Sequence, residues 1–110
     1  MSAATEELAD LPVKRPIDRE PTHPGVLLRE ILVDRVQLSV AEAAVRMGVT
    51  RQSLHAVLSG RRAVNADIAL RFGRLVGADP SLYLAMQHVR DLWLADRSLA
   101  SALAAIKPVA

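Results

Sequence analysis

The chain has 110 residues, of which 51% are hydrophobic and 24% charged, and its formal net charge is +2. One domain fits in this length, and a high apolar content with a small net charge excludes a chain that is disordered throughout. Cysteine is absent and aromatic residues make up only 3%, which excludes disulfide frameworks, thiolate metal sites and cysteine nucleophiles and favours helices over a β-sandwich.

The start of the chain predicts a flexible N-terminal arm over 1–20. This stretch has neither a helical nor a strand period and contains Pro12 and Pro16. Acidic residues stand where a signal peptide would need a basic start and an apolar stretch, and no apolar run approaches the length of a membrane span. We therefore expect a cytoplasmic protein.

Two helices are predicted in the first half of a folded domain over 21–97. The first begins at Pro24 and turns a row of aliphatic residues to the core, namely Leu27, Leu28, Ile31 and Leu32. The second follows Ser39, which forms a capping box with Glu42, and ends at Gly48.

Two further helices follow after short breaks. Thr50 is the predicted N-cap of the third helix, which stops before Gly60. Asn65 caps a fourth helix that ends at Gly77. The residues that this fourth helix is expected to turn inward are Ile68, Phe72, Leu75 and Val76.

The fifth predicted helix opens at Pro80 and runs to about Arg97. Its expected core face consists of Leu82, Ala85, Met86, Val89, Leu92 and Trp93. A C-terminal tail over 98–110 follows, with room for a short helix. The sequence therefore predicts an all-α domain of five helices, between a flexible arm and a tail.

The break between the second and third helices predicts a helix-turn-helix motif. Only residues 48–50 separate them, and a short turn that contains Gly joins the two helices of that motif. Ala44 is small enough for the two helices to touch, and Gly48 tolerates a positive φ. Leu54 and Val57 anchor the third helix in the core. An ordinary helical hairpin is the alternative.

The exposed side of the third helix has the chemistry of a DNA-reading surface. Glutamine pairs with adenine through two hydrogen bonds, serine and histidine donate to base edges or phosphates, and alanine touches a thymine methyl group. The outward residues that supply these groups are Gln52, His55, Ala56 and Ser59. Arg51 before the helix, and Arg61 and Arg62 after it, are expected to contact phosphates.

The basic residues of the chain concentrate around this motif. Residues 38–62 hold four arginines against Glu42 as the one acid, a local surplus of +3. A surplus of this size is also typical of a solvated surface. Because the motif spacing, the outward side chains and the charge agree, we interpret this segment as a DNA-binding element.

Longer stretches of the chain resemble a known family. His23-Pro24-Gly25 opens the first helix, and LSVAEAAVRMGVTRQSLHAVLSGRR, ALRFGRLVGADPSLYLAMQ and DLW follow. From about residue 21 to residue 96 this combination resembles the HigA-type antitoxins of type II toxin–antitoxin modules, in the XRE/Cro-C1-like helix-turn-helix family. The resemblance implies a λ-repressor-like domain that forms a homodimer, binds operator DNA of its own operon and neutralises a RelE/HigB-like mRNA-cleaving toxin.

The resemblance also implies roles for individual residues. Positions 50–53 match the start of the family's recognition helix, and Gly60-Arg61-Arg62 matches its basic loop. His55 and Ala56 stand where relatives usually have Ser and Arg, so any contact made by that Arg is missing here and the resemblance does not define the operator sequence. The predicted DNA-binding residues are Thr50, Arg51, Gln52, Ser53, His55, Ala56, Ser59, Arg61 and Arg62.

Two protein-binding surfaces are hypothesised. Tyr83 and Leu94 fall outside the expected core face of the fifth helix, and we expect them to form a two-fold dimer interface with Leu99, Leu103 and Ile106. Isolated apolar surface residues are the alternative. On the first helix, a small patch of two residues in a charged arc is expected to face the toxin; they are Val26 and Val33.

Two other classes of function are alternatives to an antitoxin. A stand-alone transcriptional repressor without a toxin would use the same DNA surface. An enzyme is disfavoured because the three histidines lie far apart and no phosphate-binding loop, paired metal ligands or nucleophile elbow is present. No cofactor or metal is expected, and His23 is predicted to cap or pack at the start of the first helix.

Overall fold

The computed structural model describes residues 19–110, and within them the chain is helical without a strand. The predicted all-α fold is confirmed, with five helices where they were expected and a sixth in the tail. The helices are α1 (Pro24–Glu30, continued as a π-helical segment Ile31–Val36), α2 (Val40–Met47), α3 (Arg51–Leu58), α4 (Ala66–Val76), α5 (Pro80–Ser98) and α6 (Ala100–Ala105). The predicted N-terminal arm lies outside the described residues, apart from its last two.

The helices begin where the sequence supplies a capping side chain. A hydroxyl, amide or carboxylate oxygen accepts the hydrogen bond of a backbone N–H in the first turn, at distances of 2.9 to 3.1 Å. Each such cap stabilises a helix by about 1 kcal/mol. The capping residues are Ser39 for α2, Thr50 for α3, Asn65 for α4 and Asp79 for α5. These caps confirm the predicted starts.

The core lies between α1 and the two pairs of helices that follow it. Leu28, Leu54, Val57 and Phe72 have no exposed surface. Ile31 and Leu32 of the π-helical segment are also buried, as the helical period of the sequence predicts. The core therefore consists mainly of aliphatic side chains from α1 to α4, completed by one aromatic residue of α5, Tyr83.

The predicted core face of α5 is wrong. Leu82, Val89 and Leu92 are 54%, 46% and 59% exposed. The residues of α5 that are buried are Tyr83 and Gln87. The face of α5 that packs on the core is therefore a different one from the face that the sequence predicts, and the predicted apolar face is exposed.

The orientation of α5 follows from specific contacts of its inward residues. The ring of Tyr83 packs edge-on against Phe72, with 5.5 Å between the ring centroids and 82° between the planes. Gln87 accepts a hydrogen bond from the backbone of Val64, and Arg90 donates one to the backbone of Pro21. Tyr83 thus belongs to the core, and the prediction that it contributes to a dimer interface is wrong.

No helix of the described part of the chain combines the length and the apolar content that crossing a membrane requires.

Candidate nucleic-acid interface

The helices α2 and α3 pack against each other through a tight turn. Ala44 is buried at their contact, and the backbone N–H of Val49 donates to its carbonyl oxygen at 3.0 Å. Gly48 has a φ of +73°, in the left-handed region that favours glycine. Leu54 and Val57 hold α3 in the core with no exposed surface. All four residues do what the motif requires, and the second helix of the motif is exposed on its other side.

The outward face of α3 borders a shallow groove. Gln52, His55 and Ser59 are exposed, and Ala56 is half-buried. The groove is lined by Arg51, Gln52, His55, Ala56, Arg61 and Arg62, none of which is acidic. It therefore combines hydrogen-bonding groups along a helix with positive charge at both ends, which is the arrangement that the sequence predicts for contact with DNA.

A network of polar side chains holds the start of α3. Thr50 accepts a hydrogen bond from the backbone N–H of Ser53 at 3.0 Å, and its hydroxyl donates to Ser53 Oγ at 2.8 Å. Arg62 donates to the same Ser53 oxygen at 3.2 Å. The chain thus folds back after α3, so that Arg62 reaches the first turn of the helix rather than standing beyond its end.

Arg61 is held at the other end of the helix. Its Nε–H donates to Ser59 Oγ at 3.1 Å, and the Ser59 hydroxyl donates to the Ala56 carbonyl oxygen at 3.2 Å. Because both guanidinium groups keep other N–H donors, they can bind phosphate oxygens without leaving these contacts. Arg51 makes no ion pair or side-chain hydrogen bond within residues 19–110 and is exposed.

The segment that joins α3 to α4, residues 59–65, is called the basic loop below. Backbone N–H groups of Arg61 and Arg62 donate to the Ala56 carbonyl oxygen at 2.9 and 3.1 Å. Two residues that the sequence did not assign to the site also contact this loop, His23 and Gln87. The cap predicted for His23 is confirmed, because its side chain accepts from the N–H of Gly25, but its contact with the loop gave no signal in the sequence.

The residues predicted to bind other proteins have different surroundings. Val26 and Val33 are exposed on α1 and its π-helical segment. Leu94 of α5 is exposed, and so are Leu99, Leu103 and Ile106 in and around α6. Within residues 19–110 no group of three or more His, Cys, Asp or Glu side chains is placed to hold a metal ion.

Two short helices at a glycine turn, with the second exposed beside a basic loop, define a helix-turn-helix domain. A family model described as a helix-turn-helix domain matches residues 25–85, and the chain belongs to this family. Among relatives, virulence-associated protein A′ of Dichelobacter nodosus is 33% identical over 75 residues, which cover 67% of this chain and 64% of that protein. The uncharacterized HTH-type transcriptional regulator YbaQ of Escherichia coli K12 is 27% identical over 81 residues, covering 74% and 72%.

Solved structures place the chain more narrowly within this family. The antitoxin GraA has a TM-score of 0.75 and 28% identity, and the match covers 83% of this chain and 99% of that chain. The structure of GraA in complex with its operator has a TM-score of 0.75 and 27% identity, and the match covers 86% of this chain and 97% of that chain. An addiction module antidote protein of the HigA family from Coxiella burnetii has a TM-score of 0.73 and 27% identity, and the match covers 82% of this chain and 99% of that chain. The resemblance to HigA-type antitoxins is thereby confirmed.

Proposed function

We propose that this chain is an antitoxin that binds operator DNA of its own operon and neutralises a RelE-like toxin by direct contact. The observation that carries the proposal is the acid-free groove along α3, with arginines at both ends. Antitoxins among its structural neighbours support it, one of them determined in complex with its operator.

On DNA, α3 lies in the major groove. Gln52 reads an adenine, His55 and Ser59 donate to base edges or phosphates, and Ala56 contacts a thymine methyl group. Arg51, Arg61 and Arg62 bind phosphates on either side, and Thr50 and Ser53 hold the start of the helix against the backbone. The bases give the preference for the operator, and the phosphates give most of the affinity.

The protein acts as a homodimer that covers two half-sites. Helix α6 has no buried residue, and a helix of six residues is marginal in water without tertiary contacts. Leu99, Leu103 and Ile106 form an exposed apolar row there, and Leu94 lies on the end of α5 nearby in sequence. A second copy that covers this row would supply the missing contacts. Glutamate at positions 99 and 103 should therefore shift the elution of the protein from dimer to monomer.

A second apolar row competes for the same role. It is the outward face of α5, with Leu82, Val89 and Leu92. Glutamate at positions 82 and 89 is the matched variant. If this pair dissociates the protein while the variant at 99 and 103 remains dimeric, the dimer uses α5 and the assignment to α6 is wrong.

The toxin is proposed to contact the exposed pair Val26 and Val33. Both valines are about half exposed, although they lie on a helix that buries Leu28, Ile31 and Leu32 in the core. Replacing both with glutamate should abolish co-elution with the toxin and leave DNA binding intact. Unchanged co-elution would move the toxin site elsewhere.

The alternative function is that of a stand-alone repressor, and the similarity of the chain to an HTH-type transcriptional regulator supports it. Co-expression with the product of the neighbouring reading frame separates the two functions. Arrest of growth by the neighbour alone, with rescue and co-elution when this chain is present, supports the antitoxin. If the neighbouring gene product is harmless, or if it is toxic but this chain neither binds nor neutralises it, the result supports the stand-alone repressor.

A further inference from the structure

Two buried side chains contact the basic loop on the side that faces the core, away from the groove along α3. His23 and Gln87 are the two polar residues that are buried within residues 19–110. One precedes α1 and the other lies in the middle of α5, yet both contact the loop between α3 and α4. Burial of a polar side chain is unfavourable unless its hydrogen bonds are made inside the protein, so the partners of these two residues indicate what they do.

His23 joins the start of α1 to the basic loop. Its Nδ1 accepts the hydrogen bond of the Gly25 N–H at 2.9 Å, so the proton of the neutral ring lies on Nε2. The backbone of Arg62 acts on this ring as a hydrogen-bond partner that favours its protonated form. The ring also packs directly under Gly60, where an added Cβ would lie 3.8 Å from His23 Cγ. One imidazole thus caps α1 with Nδ1 and packs against the loop at Gly60.

Gln87 holds the far end of the loop. Its Oε1 accepts the hydrogen bond of the Val64 N–H at 2.8 Å. Its Nε2 donates to Asp91 of the same helix at 2.9 Å, which fixes the amide in the orientation that offers the oxygen to Val64. The loop is therefore held at Arg61 and Arg62 by α3, at Gly60 by the packing of His23, and at Val64 by α5.

We infer that His23 and Gln87 are positioning residues of the DNA-binding surface, which hold the backbone of the basic loop so that Arg62 is presented beside α3. The inference rests on the proposed binding of DNA. A loop that is ordered before binding loses less conformational entropy when its arginines meet phosphates, and so it binds more tightly than a mobile one. His23 acts here through the backbone of Arg62, without touching DNA.

Two substitutions at position 23 separate this role from the capping of α1. Asparagine carries an oxygen where His23 has Nδ1, so His23→Asn keeps the acceptor for Gly25 but loses the donor to Arg62. Glutamine carries an N–H where His23 has Nε2, so His23→Gln keeps the donor to Arg62 and weakens the cap. His88→Asn, at an exposed position of α5, is the matched control.

The measurement is fluorescence anisotropy with two labelled duplexes, one from upstream of the gene and one of unrelated sequence, across a range of salt concentrations. Loss of one phosphate contact lowers the salt slope by about 1, so the fall in affinity between about 50 and 200 mM salt shrinks by about fourfold. We expect this for Arg62→Ala and for His23→Asn on both duplexes. His23→Gln and His88→Asn should keep the slope of the unaltered protein.

The double variant His23→Asn/Arg62→Ala decides between positioning and general stability. If His23 acts through Arg62, the double variant binds no more weakly than Arg62→Ala alone. Losses that add independently, an unchanged slope in His23→Asn, or an unchanged slope in Arg62→Ala would each overturn the inference. A protein without salt-dependent binding to either duplex would instead overturn the proposed function.

Discussion

Gly25 lies against the carbonyl oxygen of Val57, so closely that a Cβ added to Gly25 would come within 2.1 Å of that oxygen. The start of α1 therefore packs on the last turn of α3 with backbone against backbone. Residue 25 has to be a glycine here for reasons of space, because its neighbour is a main-chain atom that cannot turn away. The glycine therefore allows α1 and α3 to approach each other through their backbones.

Gly25→Ala is expected to lower the free energy of unfolding by about 1–3 kcal/mol, because overpacking forces the backbone of α1 or α3 to move. Urea denaturation followed by circular dichroism measures the change. Gly77→Asn is the control: the φ of Gly77 is +73°, which asparagine tolerates, and no atom lies within 4 Å of an added Cβ. A Gly25→Ala protein as stable as the control would contradict the close contact.

The sequence predicts most of the fold because its signals are local. The caps at Ser39, Thr50 and Asn65 are read within one helical turn, and Gly48 marks a turn that needs a positive φ. The outward face of α3 follows from the same periodicity. These elements depend little on what the rest of the chain does.

The orientation of α5 is not local, which is why its predicted core face is wrong. A hydrophobic period assigns an amide to the surface, but Gln87 lies inside because it bonds a backbone N–H that is 23 positions away in sequence. Tyr83 is buried because Phe72 accepts its ring edge-on. Contacts between residues distant in sequence cause the burial of both side chains. For the same reason, the positioning role of His23 and Gln87 could not be predicted from the sequence.

Gln87→Met is expected to destabilise the protein by about 1–3 kcal/mol, because it leaves the buried Val64 N–H without an acceptor while nearly preserving the volume of the side chain. Gln52→Met at an exposed position should change the free energy of unfolding by less than about 0.5 kcal/mol. Chemical denaturation of the two variants side by side is the test. Equal stabilities would show that the Gln87 hydrogen bond contributes nothing.

Acid should destabilise the protein through His23. Burial lowers the pKa of this imidazole below its ordinary value of 6.5, with a second contribution from the charge of Arg90, while the Arg62 backbone and Asp91 act in the opposite direction. Because the unfolded chain binds the proton more tightly, the contribution of His23 is complete above pH 6.5 and is lost as the pH falls toward the lowered pKa.

The check is the midpoint of urea denaturation between about pH 5 and 8, a range that spans the ordinary titration of histidine. In His23→Asn, which keeps the cap and has no titrating group at this position, the dependence on pH should be weaker. A profile identical to that of the unaltered protein would assign the acid sensitivity to other groups.

Arg51→Ala together with Gln52→Ala is expected to abolish the preference for the operator and leave the fold intact, since both side chains are exposed on α3. Loss of Gln52 alone removes a pair of base contacts that discriminates by about 1–3 kcal/mol, and loss of Arg51 alone lowers the salt slope by about 1 without changing the preference. Arg74→Ala, an exposed arginine of α4 that does not line the groove of α3, is the control. Competition between the upstream duplex and an unrelated one measures the preference. If the double variant still selects the upstream duplex, the reading of bases lies outside these two residues, and His55 and Ser59 become the next positions to replace.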